Sequence, residues 1–282
     1  MTDSTVDVGG TKIFTRESGD GDPLLLLHGF PQTGHCWRLV AAHLADRFRV
    51  IVPDVPGFGA SGAPPDHDAG AVAALFGRYL DQLGVSKATV VGHDWGGAFA
   101  FRMALDSPER VERLVITNSP FRQVNPWRMW YVFFFNIPVV PEVTFRALGP
   151  QMIATAFQRG ATRHENLDDS TIRVYQEAFA DPERVSAALG YYRTVTRKAL
   201  VKQFQRRRPA VETGIEGDTG RRITSPTLIV WGMRDPVLTP GLLKGMRRDI
   251  PHAEIVELPG VGHFVPEEAP DALAEAIARF AT

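Results

Sequence analysis

The chain has 282 residues, 44% of them hydrophobic, with 31 Lys and Arg against 32 Asp and Glu for a formal net charge of -1. That length fits one large domain or a core with an inserted subdomain, and the balanced charge points to neither a nucleic-acid nor a polyanionic partner. The single cysteine, Cys36, excludes an internal disulfide and fits a reducing compartment.

In chain order, Met1-Thr2-Asp3-Ser4-Thr5 has neither a basic region nor an apolar run, so no signal peptide is expected and the location is expected to be cytoplasmic. Leu24 to Leu27 predicts a buried strand ending at His28-Gly29. Arg49 to Val52 predicts a second, ending at Pro53-Asp54 and the loop Pro56-Gly57-Phe58-Gly59. Helical periodicity over Gly70 to Leu83 leads to a third strand, Thr89 to Val91, which runs into Gly92-His93-Asp94. Leu114 to Thr117 is the fourth, Thr227 to Trp231 the fifth and Glu254 to Leu258 the sixth, with a closing helix over Asp271 to Phe280. Short apolar runs alternating with helical patterns belong to an α/β fold, a mostly parallel twisted sheet with helices on both faces.

The alternation stops between about Pro120 and Arg222, where helical patterns and aromatics replace strands. This stretch is expected to be a helical cap inserted over the strand ends, dividing the chain into core 1–119, cap 120–222 and core 223–282. Its most apolar part, Trp127 to Val140, is interrupted by Arg128, Asn136 and Pro138 and falls short of the roughly 18 residues of a membrane span. Gly214 to Arg222 is expected to be the exposed return linker. Ligands of open α/β sheets bind at the carboxyl ends of the strands, so the residues that end strands carry the functional argument.

The strongest such signal is Gly92-His93-Asp94-Trp95-Gly96-Gly97, between a strand and a helix. A nucleophile on so sharp a turn needs small neighbours, which the three glycines provide. An elbow of this kind takes its acid and histidine later in the chain, in that order. Asp235 follows the fifth strand and His263 the sixth. Either alone reads as a loop acid or a surface histidine; three strand-end residues in the right order read as a catalytic set. His28-Gly29-Phe30-Pro31 ends the first strand and places Phe30, with Trp95, as the backbone donors of an oxyanion hole. His28 itself is expected to be a structural hydrogen-bonding residue.

On these motifs, and on Asp54-Val55-Pro56-Gly57-Phe58-Gly59-Ala60-Ser61, the chain resembles the α/β-hydrolase superfamily and, within it, the aspartate-nucleophile branch of epoxide hydrolases and dehalogenases. The resemblance implies Asp94 as nucleophile and Asp235 and His263 as its partners. A carboxylate, with a reference pKa of about 3.9, attacks an sp³ carbon without a base and becomes the acyl half of an ester. His263 then activates water against that ester. This chemistry excludes ordinary ester or amide hydrolysis as the main activity and leaves epoxides and haloalkanes.

The leaving group separates the two. An alkoxide needs a proton from an acid such as tyrosine, whereas a halide needs only N–H donors. Trp95 suits either. Position 30 is Phe, where many haloalkane dehalogenases have Asn, and Tyr131 and Tyr192 stand in cap segments similar to those that carry the ring-opening tyrosines of epoxide hydrolases. Tyr191 is the expected packing residue of its pair. Fluoroacetate dehalogenases share the His-Gly-Phe-Pro loop, but their carboxylate-binding arginines would fall at Trp95 and Ala98, and neither is arginine. The sequence thus favours hydrolysis of an apolar epoxide, with a haloalkane or haloacid dehalogenase as the alternative and a non-catalytic ligand-binding protein as a reading from another class.

Dense aromatics are more often core than substrate wall; Trp127, Trp130 and Phe134 are assigned to the wall. Arg193, Arg197, Lys198, Lys202 and Arg206-Arg207-Arg208 are expected to form a solvated basic face. No metal-ligand spacing and no phosphate or dinucleotide loop occurs, so neither metal nor cofactor is expected. The expected partner is a small apolar molecule; a homodimer is compatible with the sequence and not required by it.

Overall fold

The structure, a computed structural model, describes residues 1–122, 127–205 and 222–282. Eight strands form one sheet in the order β1-β2-β4-β3-β5-β6-β7-β8. They are β1 (Thr2–Val8), β2 (Thr11–Ser18), β3 (Asp22–Leu27), β4 (Phe48–Pro53), β5 (Ala88–His93), β6 (Val111–Thr117), β7 (Thr227–Gly232) and β8 (Glu254–Leu258). From β4 to β8 across the sheet every pairing is parallel, and the six strands expected from the apolar runs are all present. The first two were not foreseen. β1 and β2 form an antiparallel hairpin whose outer strand is mostly exposed and polar, so it carries no apolar run for a sequence reading to find.

The centre of the sheet is covered on both sides. Leu24, Leu25, Leu26 and Leu27 are each 0% exposed. Burying a leucine contributes about 1.5–3 kcal/mol, so this strand alone fixes the register of its neighbours strongly. Around the sheet run α1 (Arg38–Leu44), α2 (Ala69–Gln82) and α3 (Trp95–Asp106), with α4 (Trp130–Phe135), α5 (Val140–Gly160), α6 (Asp169–Ala178) and α7 (Pro182–Gln205) between β6 and β7. After β7 come α8 (Leu242–Asp249), α9 (Val265–Glu268) and α10 (Pro270–Phe280). α2 packs on α3, while α1 packs on α9 and α10.

Register brings the functional loops to one edge. Leu27 pairs with Gly92, and His93 pairs with Thr117, so the chain leaves β3, β5 and β6 side by side. The helices α4 to α7 between β6 and β7 are seated there through a buried acid. Arg38 of α1 donates to both Glu267 oxygens, at 2.8 and 2.7 Å, and the Tyr175 hydroxyl of α6 donates to the same carboxylate. Arg38 also donates to the Asn166 carbonyl at 3.0 Å. An uncompensated buried carboxylate is costly, so these donors are what allow Glu267 to sit 1% exposed.

The expected basic face differs in part. Arg193 is engaged, donating to Glu142 at 2.7 and 3.1 Å and to the Phe135 carbonyl at 2.9 Å, and Lys198 pairs with Asp68. These pairs tie α7 to its neighbours, a use that helical spacing cannot reveal. Arg206, Arg207, Arg208, the Lys202 side chain and Gly214 to Arg221 of the expected linker lie outside the described residues. No helix among the described residues is long and apolar enough to cross a membrane.

Candidate active site

Asp94 occupies the turn between β5 and α3 with φ 51° and ψ -118°. A non-glycine residue at positive φ costs on the order of 1–3 kcal/mol and persists only where its surroundings enforce it. Here Ser119 Oγ donates to the Asp94 carbonyl at 2.7 Å, and the small residues Gly92, Gly96 and Gly97 let strand and helix close on each other. A side chain on Gly97 would collide with Ser119, and one on Gly29 would collide with Asp94 itself.

Asp94 Oδ1 accepts the Phe30 N–H at 2.9 Å. Its Oδ2 lies 3.9 Å from His263 Nε2, beyond hydrogen-bond range, leaving a gap on the side of the histidine. His263 Nδ1 is 2.7 Å from Asp235 Oδ2. That oxygen also accepts from Asn118 Nδ2 at 2.7 Å, while Asp235 Oδ1 accepts the N–H groups of Val237 and Leu238, each at 2.8 Å. An ionised carboxylate can only accept, so the Nδ1 proton belongs on His263, and Nε2 is left to face Asp94.

The charges follow from these contacts. Burial pushes the Asp94 carboxyl above its ordinary value, opposed by His263 and by the N–H groups of Trp95 and Phe30. Burial also acts to raise Asp235, but His263, Asn118 and the Leu238 N–H outweigh it and hold Asp235 low. For His263, burial alone would lower the pKa; Asp235 first, then Asp94 and Glu268, overcome this and carry it up to about 9.

Above Asp94 lies a cavity of about 520 Å³ walled by α4, α5, α7 and the loops after β3, β7 and β8. Asp94, His263, Phe30, Tyr131 and Tyr192 all line it, as do Trp130 and Phe134. The rings of Tyr131 and Tyr192 stand 6.0 Å apart, and Tyr192 meets Trp95 edge-on at 5.0 Å. Burial raises both phenols, so they hold their protons at neutral pH and present them as donors. Trp127 is a correction. It is 87% exposed and does not line the cavity, because it precedes α4, whose turn carries Trp130, Tyr131 and Phe134 to the wall instead.

Tyr191 is fully buried, with its hydroxyl donating to the Pro56 carbonyl at 2.7 Å. His28 Nε2 accepts the Val55 N–H at 2.8 Å, and burial lowers its pKa to about 4, so it is a neutral acceptor holding two loops together. Asn118 and Ser119 escaped the sequence reading. Both directly follow β6, in Thr117-Asn118-Ser119, and that position after a strand end is the signal that would have found them.

Residues 22–270 match the family model described as alpha/beta hydrolase fold, and the chain belongs to this family of hydrolases. Among its relatives, Epoxide hydrolase 3 of Mus musculus is 27% identical over 267 residues, covering 89% of this chain and 68% of that protein. Haloalkane dehalogenase 2 of Mycobacterium tuberculosis is 29% identical over 272 residues, covering 93% and 88%. The crystal structure of Cfl2 from Burkholderia cenocepacia superposes with a TM-score of 0.85 at 26% identity, covering 99% of this chain and 95% of that one.

Proposed function

We propose that the protein opens an apolar epoxide to a vicinal diol through an ester on Asp94, with residues 120–222 acting as the cap over the substrate. One observation carries the reading: buried Tyr192 and half-buried Tyr131 share the cavity with an elbow carboxylate whose Oδ1 already accepts the Phe30 N–H. Asp94 Oδ2 attacks a ring carbon, the C–O bond of the ring breaks, and the oxygen takes a proton from a tyrosine hydroxyl. Water then gives a proton to His263 Nε2 and adds to the Asp94 carboxyl carbon. The N–H groups of Phe30 and Trp95 hold the oxyanion, each donor contributing about 3 kcal/mol. Collapse expels the diol oxygen, which takes its proton from His263; the proton left on the Asp94 carboxyl returns to the tyrosinate, and both groups are restored.

Turnover of a panel of epoxides and haloalkanes, scored for diol and for halide, tests this reading. Diol from epoxides with no halide release is expected. Halide release without diol would assign the same carboxylate to a dehalogenase, the activity named for the mycobacterial relative.

The charges also predict a pH dependence. Water activation needs neutral imidazole, and in the free enzyme His263 is held up at about 9 by three acids, Asp94 among them. Esterification removes the Asp94 charge, so the histidine loses part of what favours its proton. Ester hydrolysis in single turnover should therefore rise with pH through a midpoint below the free-enzyme titration of His263 followed by NMR. Coincident midpoints would contradict the charge-removal account.

A further inference from the structure

Glu268 takes no part in the steps above, yet it holds the turn that presents His263. It lies on α9 and is 4% exposed. Its Oε2 accepts the N–H groups of Gly262 and Thr162, each at 2.8 Å, and of Arg163 at 3.1 Å. Its Oε1 accepts the Phe264 N–H at 3.0 Å. The Thr162 hydroxyl, 3.0 Å from Oε2 and 2.8 Å from the Gly260 carbonyl, shares its one proton between them. Between the two anchored residues, the N–H of His263 itself donates to the Gly160 carbonyl at 2.8 Å. All three N–H groups of the turn 262–264 are thus tied down, two by Glu268 and one by the insert. A Cβ at position 262 would collide with Gly160 and meet Glu268 Oε1 at 2.9 Å, so glycine there is what lets turn, acid and insert close together.

We infer that Glu268 is the positioning residue of His263, locking the 262–264 turn to the edge of the insert so that Nε2 stands over the Asp94 ester at the distance one water requires. The inference rests on His263 as the water-activating base of the proposed reaction. Hydrogen bonds to an ionised carboxylate are roughly twice as strong as neutral ones, which makes four N–H donors on one buried acid a stiff clamp. A displacement of about 1 Å in a catalytic group costs on the order of 100-fold in rate. Glu268 also acts through charge. The titratable groups facing His263 are Asp235 on Nδ1, Asp94 beside Nε2, the His93 ring at 5.0 Å and Glu268 behind the turn. His93 is buried and held well below the ordinary histidine value, so it stays neutral, and Glu268 is the third acid favouring the imidazolium.

Two substitutions separate clamp from charge. Glu268→Gln, with its oxygen turned into the Oε2 place, keeps the three N–H bonds there and loses the charge and the Phe264 bond. Glu268→Ala loses every bond. Because Asp94 attacks without His263, ester formation on styrene oxide, followed by rapid quench and intact mass on the full chain, should be unchanged in both variants. Ester hydrolysis should slow by about 100-fold in Glu268→Ala, with ester accumulating. In Glu268→Gln, hydrolysis should keep most of its plateau rate while its pH midpoint moves down. Parallel loss of both steps in a Glu268→Gln protein with an unchanged melting curve, or an unmoved midpoint, would overturn the inference. The Gln variant carries the test if the Ala variant does not fold. NMR titration of His263 needs no substrate: a lowered midpoint in Glu268→Gln supports the inference and an unmoved one overturns it. Failure of the wild type to form an ester with any epoxide would instead sink the epoxide reading.

Discussion

A His263→Gln variant mixed with styrene oxide is expected to gain the mass of one epoxide on Asp94 and to keep it. One distance and the chemistry of a carboxylate set this result. Asp94 Oδ2 is 3.9 Å from His263 Nε2, too far for the histidine to be withdrawing a proton from the nucleophile, and a carboxylate has none to withdraw. Ester formation therefore survives the substitution. Hydrolysis does not, because the water loses its base, a change typically worth 10²–10⁴ in rate. The ester then forms faster than it decays and accumulates to near one equivalent. Intact mass spectrometry reads the adduct, and peptide mapping places it on Asp94. Adducts with a bromoalkane but with no epoxide would transfer the chain to the dehalogenases. The absence of an adduct with either would remove Asp94 from the role of nucleophile.

Replacing Tyr131 and Tyr192 together by Phe is expected to have the second largest effect. Ring opening leaves a strongly basic alkoxide, and the described cavity lining offers these two phenols where an epoxide over Asp94 would sit. General acids contribute about 10²–10⁴, so the double variant should form its ester on styrene oxide slower by that range. Each single variant should lose less, since the remaining phenol still donates. A bromoalkane provides the internal control, because halide departure needs no proton. Any adduct it forms should be as fast in the double variant as in the wild type. Unimpaired ester formation from epoxide would reduce both tyrosines to packing residues. That outcome is a real alternative, because Tyr192 also packs among Phe30, Trp95 and Phe135 at ring separations of 5.0–5.8 Å.

The roles proposed for Glu268 and for the two tyrosines fall on different halves of the same cycle. In the proposed cycle the tyrosines would act while the ester forms, and Glu268 on its hydrolysis. Rapid-quench measurement on one substrate would therefore resolve all three, each with a distinct signature. On the proposed reading Asp94 would supply the ester from an epoxide or from a haloalkane, and the groups around the leaving atom would decide which bond breaks.

The sequence by itself determined the elements that rest on local pattern. Five strands were legible because a strand covered on both faces must be largely apolar, the half-exposed edge strand β8 because of its Ile255-Val256 pair, and the elbow because its turn demands glycine around Asp94. Chain order then paired Asp94 with Asp235 and His263, and the structure brings these three to within hydrogen-bonding or near-contact distance. Tertiary structure decided what depends on contacts between segments far apart in the chain. β1 and β2 have a half-solvated edge and leave only a weak pattern, so they appeared only as a hairpin paired in space. Trp127 was assigned to the cavity from aromatic density, but only the start of α4 at Trp130 settles which aromatics turn inward. Asn118 and Glu268 carry no motif, because each matters through the atoms it meets: Asn118 across 117 residues of chain to Asp235, and Glu268 across 106 to Thr162. A local pattern records which backbone a segment can adopt. It does not record which distant donors will converge on a buried carboxylate, and in this protein that convergence sets the place of the histidine opposite Asp94.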